Sequence, residues 1–79
     1  MELKKALEIY RDFLMEWLME FGDNKISPEQ RQNNKWWTET VRNPQFRQAV
    51  QRIPHNIRRG FINNGHVTRR GKQFIKAGR

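Results

Sequence analysis

The sequence predicts an all-α fold in which a long N-terminal amphipathic helix is followed by three or four short helices. Three observations lead to this prediction: the helical spacing of apolar residues over positions 1–22, the helix-start signals Ser27-Pro28 and Asn43-Pro44, and a capped basic segment over residues 68–78. The 79 residues have room for one domain. We expect residues 1–22 to form its core or a dimer interface and residues 27–79 to form a basic body.

The first 22 residues carry the clearest helical pattern. Six large apolar residues, beginning at Leu3, follow one another at spacings of four and three, which places them in one stripe that ends just before Gly22. The short helices that follow are expected to cover only part of this stripe, and an uncovered stripe is an exposed apolar patch. We therefore expect self-association through this helix, the alternative being that the stripe forms the core of a single chain. The residues assigned to self-association are Leu7, Tyr10, Leu14, Trp17 and Phe21.

Two further helices begin at a capping residue followed by proline. Ser27-Pro28 is expected to supply a cap and a first-turn proline, and Gln30 to close a capping box, so that this helix runs to about Arg42. Asn43-Pro44 repeats the signal. The helix that follows it ends near Pro54, because proline interrupts helical hydrogen bonding.

The segment between Pro54 and the last helix allows two structures. We favour a helix-turn-helix-like arrangement, in which a short helix ends at about Ile62 and Asn63-Asn64-Gly65 forms the turn, since Asn and Gly tolerate positive φ. The alternative is a β-hairpin over residues 61–68 on the Asn-Gly turn. The helical interpretation is preferred because Arg58-Arg59-Gly60 is a weak lead into a strand.

The net charge of +8 is unevenly distributed along the chain. Residues 1–25 contain six acidic and four basic residues, whereas residues 26–79 contain two acidic and twelve basic ones. After Glu39 the chain has no acidic residue and ten Lys or Arg. A body with such a charge repels itself, and nucleic acid relieves the repulsion while its phosphates release their condensed counterions. The charge distribution therefore predicts a nucleic-acid partner.

The last helix, from Arg69 to Ala77, carries the most specific pattern. Thr68 is expected to cap it and Gly78 to end it, with apolar residues on one side and basic residues on the other. Arg and Lys can donate to guanine and Gln can bind adenine in the major groove, so we expect this segment to act as a recognition helix. The alternative is an ordinary solvated helix. The residues assigned to base contacts are Arg69, Lys72, Gln73 and Lys76.

A second set of arginines is expected to hold backbone phosphates, which position a protein on nucleic acid without specifying a sequence. The alternative is a solvated surface that is kept basic for solubility. Most of the set precedes the last helix, where the chain would cross the nucleic-acid backbone. The residues assigned to phosphates are Arg47, Arg52, Arg58, Arg59 and Arg70.

The sequence also allows two functions other than binding duplex DNA. In Lys35-Trp36-Trp37, two aromatic rings follow a basic side chain. Trp36 or Trp37, together with Phe61, would stack on the nucleobases of RNA or single-stranded DNA. Use of the tryptophans in the core or a subunit interface is the preferred interpretation, because the chain has few other apolar residues. The second alternative function is that of a protein-interaction module whose basic surface binds an acidic partner protein.

The residue types also exclude several functions. The chain has no cysteine, which removes disulfides and thiolate chemistry, and His55 and His66 have too few companions for a metal site. No apolar run is long enough to span a membrane, and no grouping of nucleophile, base and orienting residue can be proposed. We therefore expect a cytoplasmic, nucleoid-associated DNA-binding regulator or accessory factor that is not an enzyme and has no cofactor.

Overall fold

The long first helix is followed by five short helices and one two-stranded hairpin in a computed structural model that describes residues 1–78. The predicted all-α class is confirmed, since the hairpin strands are two residues each. In chain order the elements are α1 (Leu3–Phe21), α2 (Pro28–Gln32), α3 (Lys35–Arg42), α4 (Pro44–Arg52), α5 (His55–Phe61), β1 (Ile62–Asn63), β2 (His66–Val67) and α6 (Arg69–Ala77).

The end of α1 and the start of α4 follow the predicted signals. Gly22 stands directly after α1 with φ of 63°, and its N–H donates to the Leu18 carbonyl oxygen at 2.8 Å. Asn43 caps α4, and its side-chain oxygen accepts from the N–H groups of Gln45 at 2.9 Å and Phe46 at 3.3 Å.

The single helix predicted from Ser27 to Arg42 is instead two helices, α2 and α3. The capping box that begins α2 is present, with Ser27 and Gln30 bonding each other's backbone N–H groups at 3.1 and 2.9 Å. Asn34 then leaves the helical conformation and its side chain caps α3 by accepting from the Trp37 N–H at 2.9 Å. Asn competes with helical hydrogen bonding in this way, which raises the count of short helices to five.

The favoured helix-to-turn structure of residues 61–68 is wrong, and the β-hairpin forms. Ile62 pairs with Val67 and Asn63 pairs with His66, on either side of a turn in which Asn64 and Gly65 have φ of 54° and 74°. Positive φ at both central positions is the type I′ geometry that matches the twist of paired strands. No lead-in is needed, because β1 begins directly after Phe61, the last residue of α5.

Thr68 and Gly71 lock the beginning of α6 against the end of α5. The Thr68 hydroxyl donates to the Gly60 carbonyl oxygen at 2.6 Å and accepts from the Gly71 N–H at 3.0 Å. Gly71 lies so close that a Cβ there would stand 2.6 Å from the Phe61 carbonyl oxygen and 2.8 Å from the Val67 side chain. The predicted Thr68 cap is confirmed, and it also fixes the orientation of α6.

The core is built on α1, which packs against α4 and α6. Of the residues assigned to self-association, Tyr10, Leu14 and Trp17 are buried within this one chain, while Leu7 and Phe21 are half-buried. The expectation that the stripe stays uncovered is therefore wrong, and the stripe forms the core of a single chain. The cover comes from residues far along the sequence: Ala49, Ile53, Phe61, Val67 and Ile75.

Candidate nucleic-acid interface

Helix α6 has one buried side and one exposed side. Gly71 and Ile75 are buried against the body, whereas Arg69, Gln73 and Lys76 are exposed. These three side chains make no hydrogen bond or ion pair within residues 1–78. Three of the four residues assigned to base contacts are thus available on one surface.

Lys72, the fourth residue of this set, is engaged within the chain. Its ammonium group lies 2.5 Å from the carboxylate of Asp23, in the connector that follows α1. The Lys72 side chain keeps 41% of its exposure, so it still borders the exposed side of α6. Sequence reasoning missed this pairing, because 49 positions separate the two residues in the chain.

Arg70 reaches back over α5. A Cβ on Gly60 would lie 3.3 Å from Arg70 Cδ and 3.4 Å from Arg70 Nη1, so this side chain covers Gly60. Arg59, which is exposed, directly precedes Gly60 in α5. The fold therefore brings Arg70 of α6 close to Arg58 and Arg59, which lie near the end of α5.

Two other arginines of the phosphate set each make one hydrogen bond within the chain. Arg58 Nε donates to the Ile53 carbonyl oxygen at 3.1 Å, and Arg52 Nε donates to the Met1 carbonyl oxygen at 3.1 Å. Arg58 is half-buried, whereas Arg47 and Arg52 are exposed on α4. A guanidinium carries five N–H donors, so each bonded arginine retains donors for phosphate.

The tryptophans belong to an aromatic cluster with α1. The Trp36 ring stacks on Phe13 at 5.6 Å between centroids, and the Trp37 ring meets Trp17 edge-on at 5.7 Å. Trp36 and Trp37 are both half-buried. Phe61 is buried and stacks on Phe74 at 4.5 Å, so it offers no face to an incoming base.

An open pocket of about 350 Å³, which the sequence did not predict, lies beside this cluster. We call it the aromatic pocket, and the apolar residues that line it are Tyr10, Phe13, Trp17, Trp37, Val41, Phe46, Val50 and Ile62. Basic side chains stand at the same pocket, and among its lining residues there is no Asp or Glu: the basic residues are Arg31, His55, Arg58 and Arg59. Its lining residues come from six elements, α1 to α5 and β1, so no local sequence motif predicts it.

Tyr10 is the titratable residue of the pocket whose pKa is shifted. Burial raises its pKa to about 12, and the positive charge of Arg58 opposes part of that rise. The phenol is therefore a neutral hydrogen-bond donor at physiological pH. Its hydroxyl has no hydrogen-bond partner within the described part of the chain.

Other kinds of site find no support in residues 1–78. No three His, Cys, Asp or Glu side chains of this part come together as metal ligands would. None of its helices has the length and apolar character that crossing a membrane requires.

Comparison with known proteins finds no family model, no curated protein and no solved structure that matches this chain. The fold and the site together define a small, mainly α-helical protein with an acidic-to-basic charge gradient, an exposed basic helix and a basic-rimmed aromatic pocket.

Proposed function

We propose that this protein binds nucleic acid, with duplex DNA as the form bound through α6. The observation that carries the proposal is the two-sided character of this helix. Gly71 and Ile75 attach it to the body, while Arg69, Gln73 and Lys76 project from the opposite side. Arg and Gln are side chains that make bidentate contacts with guanine and adenine in the major groove.

The surrounding charge supports the same proposal. After Glu39 the sequence contains no acidic residue, so DNA phosphates would meet no carboxylate from the C-terminal half of the chain. Arg59 and Arg70 lie at one end of α5, close to the beginning of α6. In this proposal they hold phosphates together with Arg47, Arg52 and Arg58, and the bound protein acts as a regulator or accessory factor in the cytoplasm.

Alanine variants distinguish base contacts from phosphate contacts. A preferred site is first selected from a random duplex pool, and affinity for that site and for random duplex is then measured over a range of salt. Arg69→Ala and Gln73→Ala are expected to weaken the preferred site by about 1–3 kcal/mol with little change on random DNA. Arg59→Ala, which removes an exposed side chain, should weaken both DNAs alike and reduce the salt slope by about 1.

Two outcomes of this experiment would contradict the proposed function in whole or in part. If all three variants weaken specific and random DNA equally, α6 is not a recognition helix and binding is driven by charge alone. If none of them changes the affinity, the proposed function is wrong. The rival function, a grip on an acidic partner protein, predicts a stoichiometric protein complex that survives nuclease treatment and whose affinity does not follow the steep salt dependence of DNA binding.

A further inference from the structure

The aromatic pocket combines flat apolar surface with positive charge. Trp37, Phe13 and Tyr10 supply aromatic rings, and the Arg31 guanidinium lies 5.4 Å from the centroid of the Trp37 ring. A volume of about 350 Å³ is at the lower end of the range for small-molecule sites. The pocket therefore suits one compact ligand with a planar ring.

The charges around the pocket determine the other part of that ligand. Arg59 and His55 are exposed at the pocket, and the half-buried Arg58 keeps free N–H donors after its bond to Ile53. None of the residues that line the pocket is acidic, and its rings carry hydrogen-bond donors, namely the Tyr10 hydroxyl and the indole N–H groups of Trp17 and Trp37. The Tyr10 hydroxyl has no partner in residues 1–78. An anionic group beside the ring would accept from these donors with charge-assisted hydrogen bonds, which are stronger than those to a neutral acceptor, whereas the arginines would repel a cationic ligand.

We propose that the aromatic pocket binds one unpaired nucleotide, with its base against Trp37 and its phosphate at Arg58 and Arg59. This site goes beyond the proposed contact of α6 with duplex DNA, since none of its lining residues belongs to that helix. A nucleotide can come from a single strand, from an unpaired position in a duplex or from the free pool, and the chemistry that holds it is shared.

The first test compares strands that differ only in their bases. A thymidine octamer and an abasic octamer carry the same phosphates, so their difference in affinity reports the base alone. We expect the thymidine octamer to bind about tenfold more tightly, within the range that stacking of a single base provides. Equal affinity for the two strands would overturn the proposal, because binding would then be a matter of phosphate charge.

Filling the pocket is the second test. Val50→Trp places an indole where Val50 lines the pocket, and it should reduce the preference for thymidine over abasic octamer to below about twofold. Met19→Trp is the matched control, since Met19 is 85% exposed and does not line the pocket, and it should retain the preference. Both variants are compared at temperatures where circular dichroism shows the native helical content.

A measurement on the unaltered protein keeps the proposal testable if Val50→Trp does not fold. Thymidine 5′-monophosphate is titrated while NMR follows the three indole N–H groups. The Trp37 signal should shift more than that of Trp36, which does not line the pocket. Octanoate, an anion without a ring, is the counter-probe: equal shifts with octanoate, or no shift with the nucleotide, would overturn the assignment.

The octamer and monophosphate arms separate the sources of the nucleotide, since a free nucleotide that binds as tightly as the octamer identifies a site for the free pool. Failure of this inference is also distinguishable from failure of the proposed function. Arg69→Ala should lower duplex specificity and leave the preference for thymidine over abasic octamer unchanged. Val50→Trp should lower that octamer preference and leave duplex specificity unchanged.

Discussion

The carboxylate of Asp23 and the ammonium group of Lys72 lie 2.5 Å apart, which joins the connector after α1 to the exposed side of α6. The two side chains are 76% and 41% exposed, so water screens the pair and its contribution to stability is at most about 1 kcal/mol. If the proposed function is right, the pair affects binding more than folding, because it neutralises a cation that borders the proposed DNA-binding surface.

Release of Lys72 should therefore strengthen DNA binding. Asp23→Asn is expected to raise affinity for duplex DNA, because it removes a negative charge beside the proposed surface, with a change in unfolding free energy below about 1 kcal/mol. Glu39→Gln removes the same charge from α3, and it controls for the general change in net charge. An equal gain in both variants, measured by salt titration of binding, would contradict a specific role for the pair.

Two glycines should respond in opposite ways to alanine. Gly71→Ala places a Cβ 2.6 Å from the Phe61 carbonyl oxygen, so α6 must move away from α5 at a cost of about 1–3 kcal/mol. Gly60→Ala meets the flexible Arg70 side chain at 3.3 Å and gains helix propensity, so it should be neutral or stabilising by up to about 1 kcal/mol. Urea unfolding of the two variants and the parent measures both, and a neutral Gly71→Ala would contradict the close approach of the two helices.

Stability should depend on pH at the alkaline end because of Tyr10. Its pKa is raised to about 12 in the folded chain by burial, against an ordinary value near 10, so above pH 10 the unfolded chain ionises first. The stabilisation is fully present below pH 10 and is lost between pH 10 and 12, with a magnitude on the order of 2 kcal/mol. Tyr10→Phe should flatten this part of the stability profile. If the profiles of parent and variant coincide, Tyr10 is not the group responsible.

Thermal stability should be independent of protein concentration. Tyr10, Leu14 and Trp17 are buried by the chain's own residues, so the α1 stripe does not require a second copy. A dimer held through that stripe would instead show a Tm that rises with concentration, because association stabilises the folded state by mass action. Sedimentation at micromolar concentration checks the same point: we expect the 9.7 kDa monomer, and a stable dimer would show that another surface self-associates.

The predictable part of the fold is the part set by neighbouring residues. Gly22, Ser27, Asn43 and Thr68 each make a capping hydrogen bond with a residue at most four positions away, as their residue types indicate. Asn34 interrupts an otherwise helical pattern, and its additional bond to Glu20, 14 positions away, cannot be inferred from neighbouring residues. The hairpin also depends on a distant residue, since the Ile26 N–H donates to the Gly65 carbonyl oxygen at 2.9 Å.

In the candidate sites, too, the features set by neighbouring residues can be predicted and those set by distant packing cannot. The exposed side of α6 follows from helical periodicity, and the structure places Arg69, Gln73 and Lys76 as that periodicity predicts. The Lys72 pairing and the position of Arg70 over Gly60 depend on how distant segments pack, which periodicity does not describe. The aromatic pocket depends most on distant packing, since it is lined by residues of six elements, α1 to α5 and β1.

The packing of α1 against α4 and α6 also has a consequence for synthesis on the ribosome. The chain emerges from its N-terminus, so Leu14 and Trp17 are made long before Ala49 and Ile75, which cover them. At about 5–20 residues per second, the interval between translation of the first helix and the last is on the order of several seconds. Until α4 and α6 have been made, the apolar side of α1 lacks the residues that cover it in the folded chain, so the core cannot form during synthesis of the first helices.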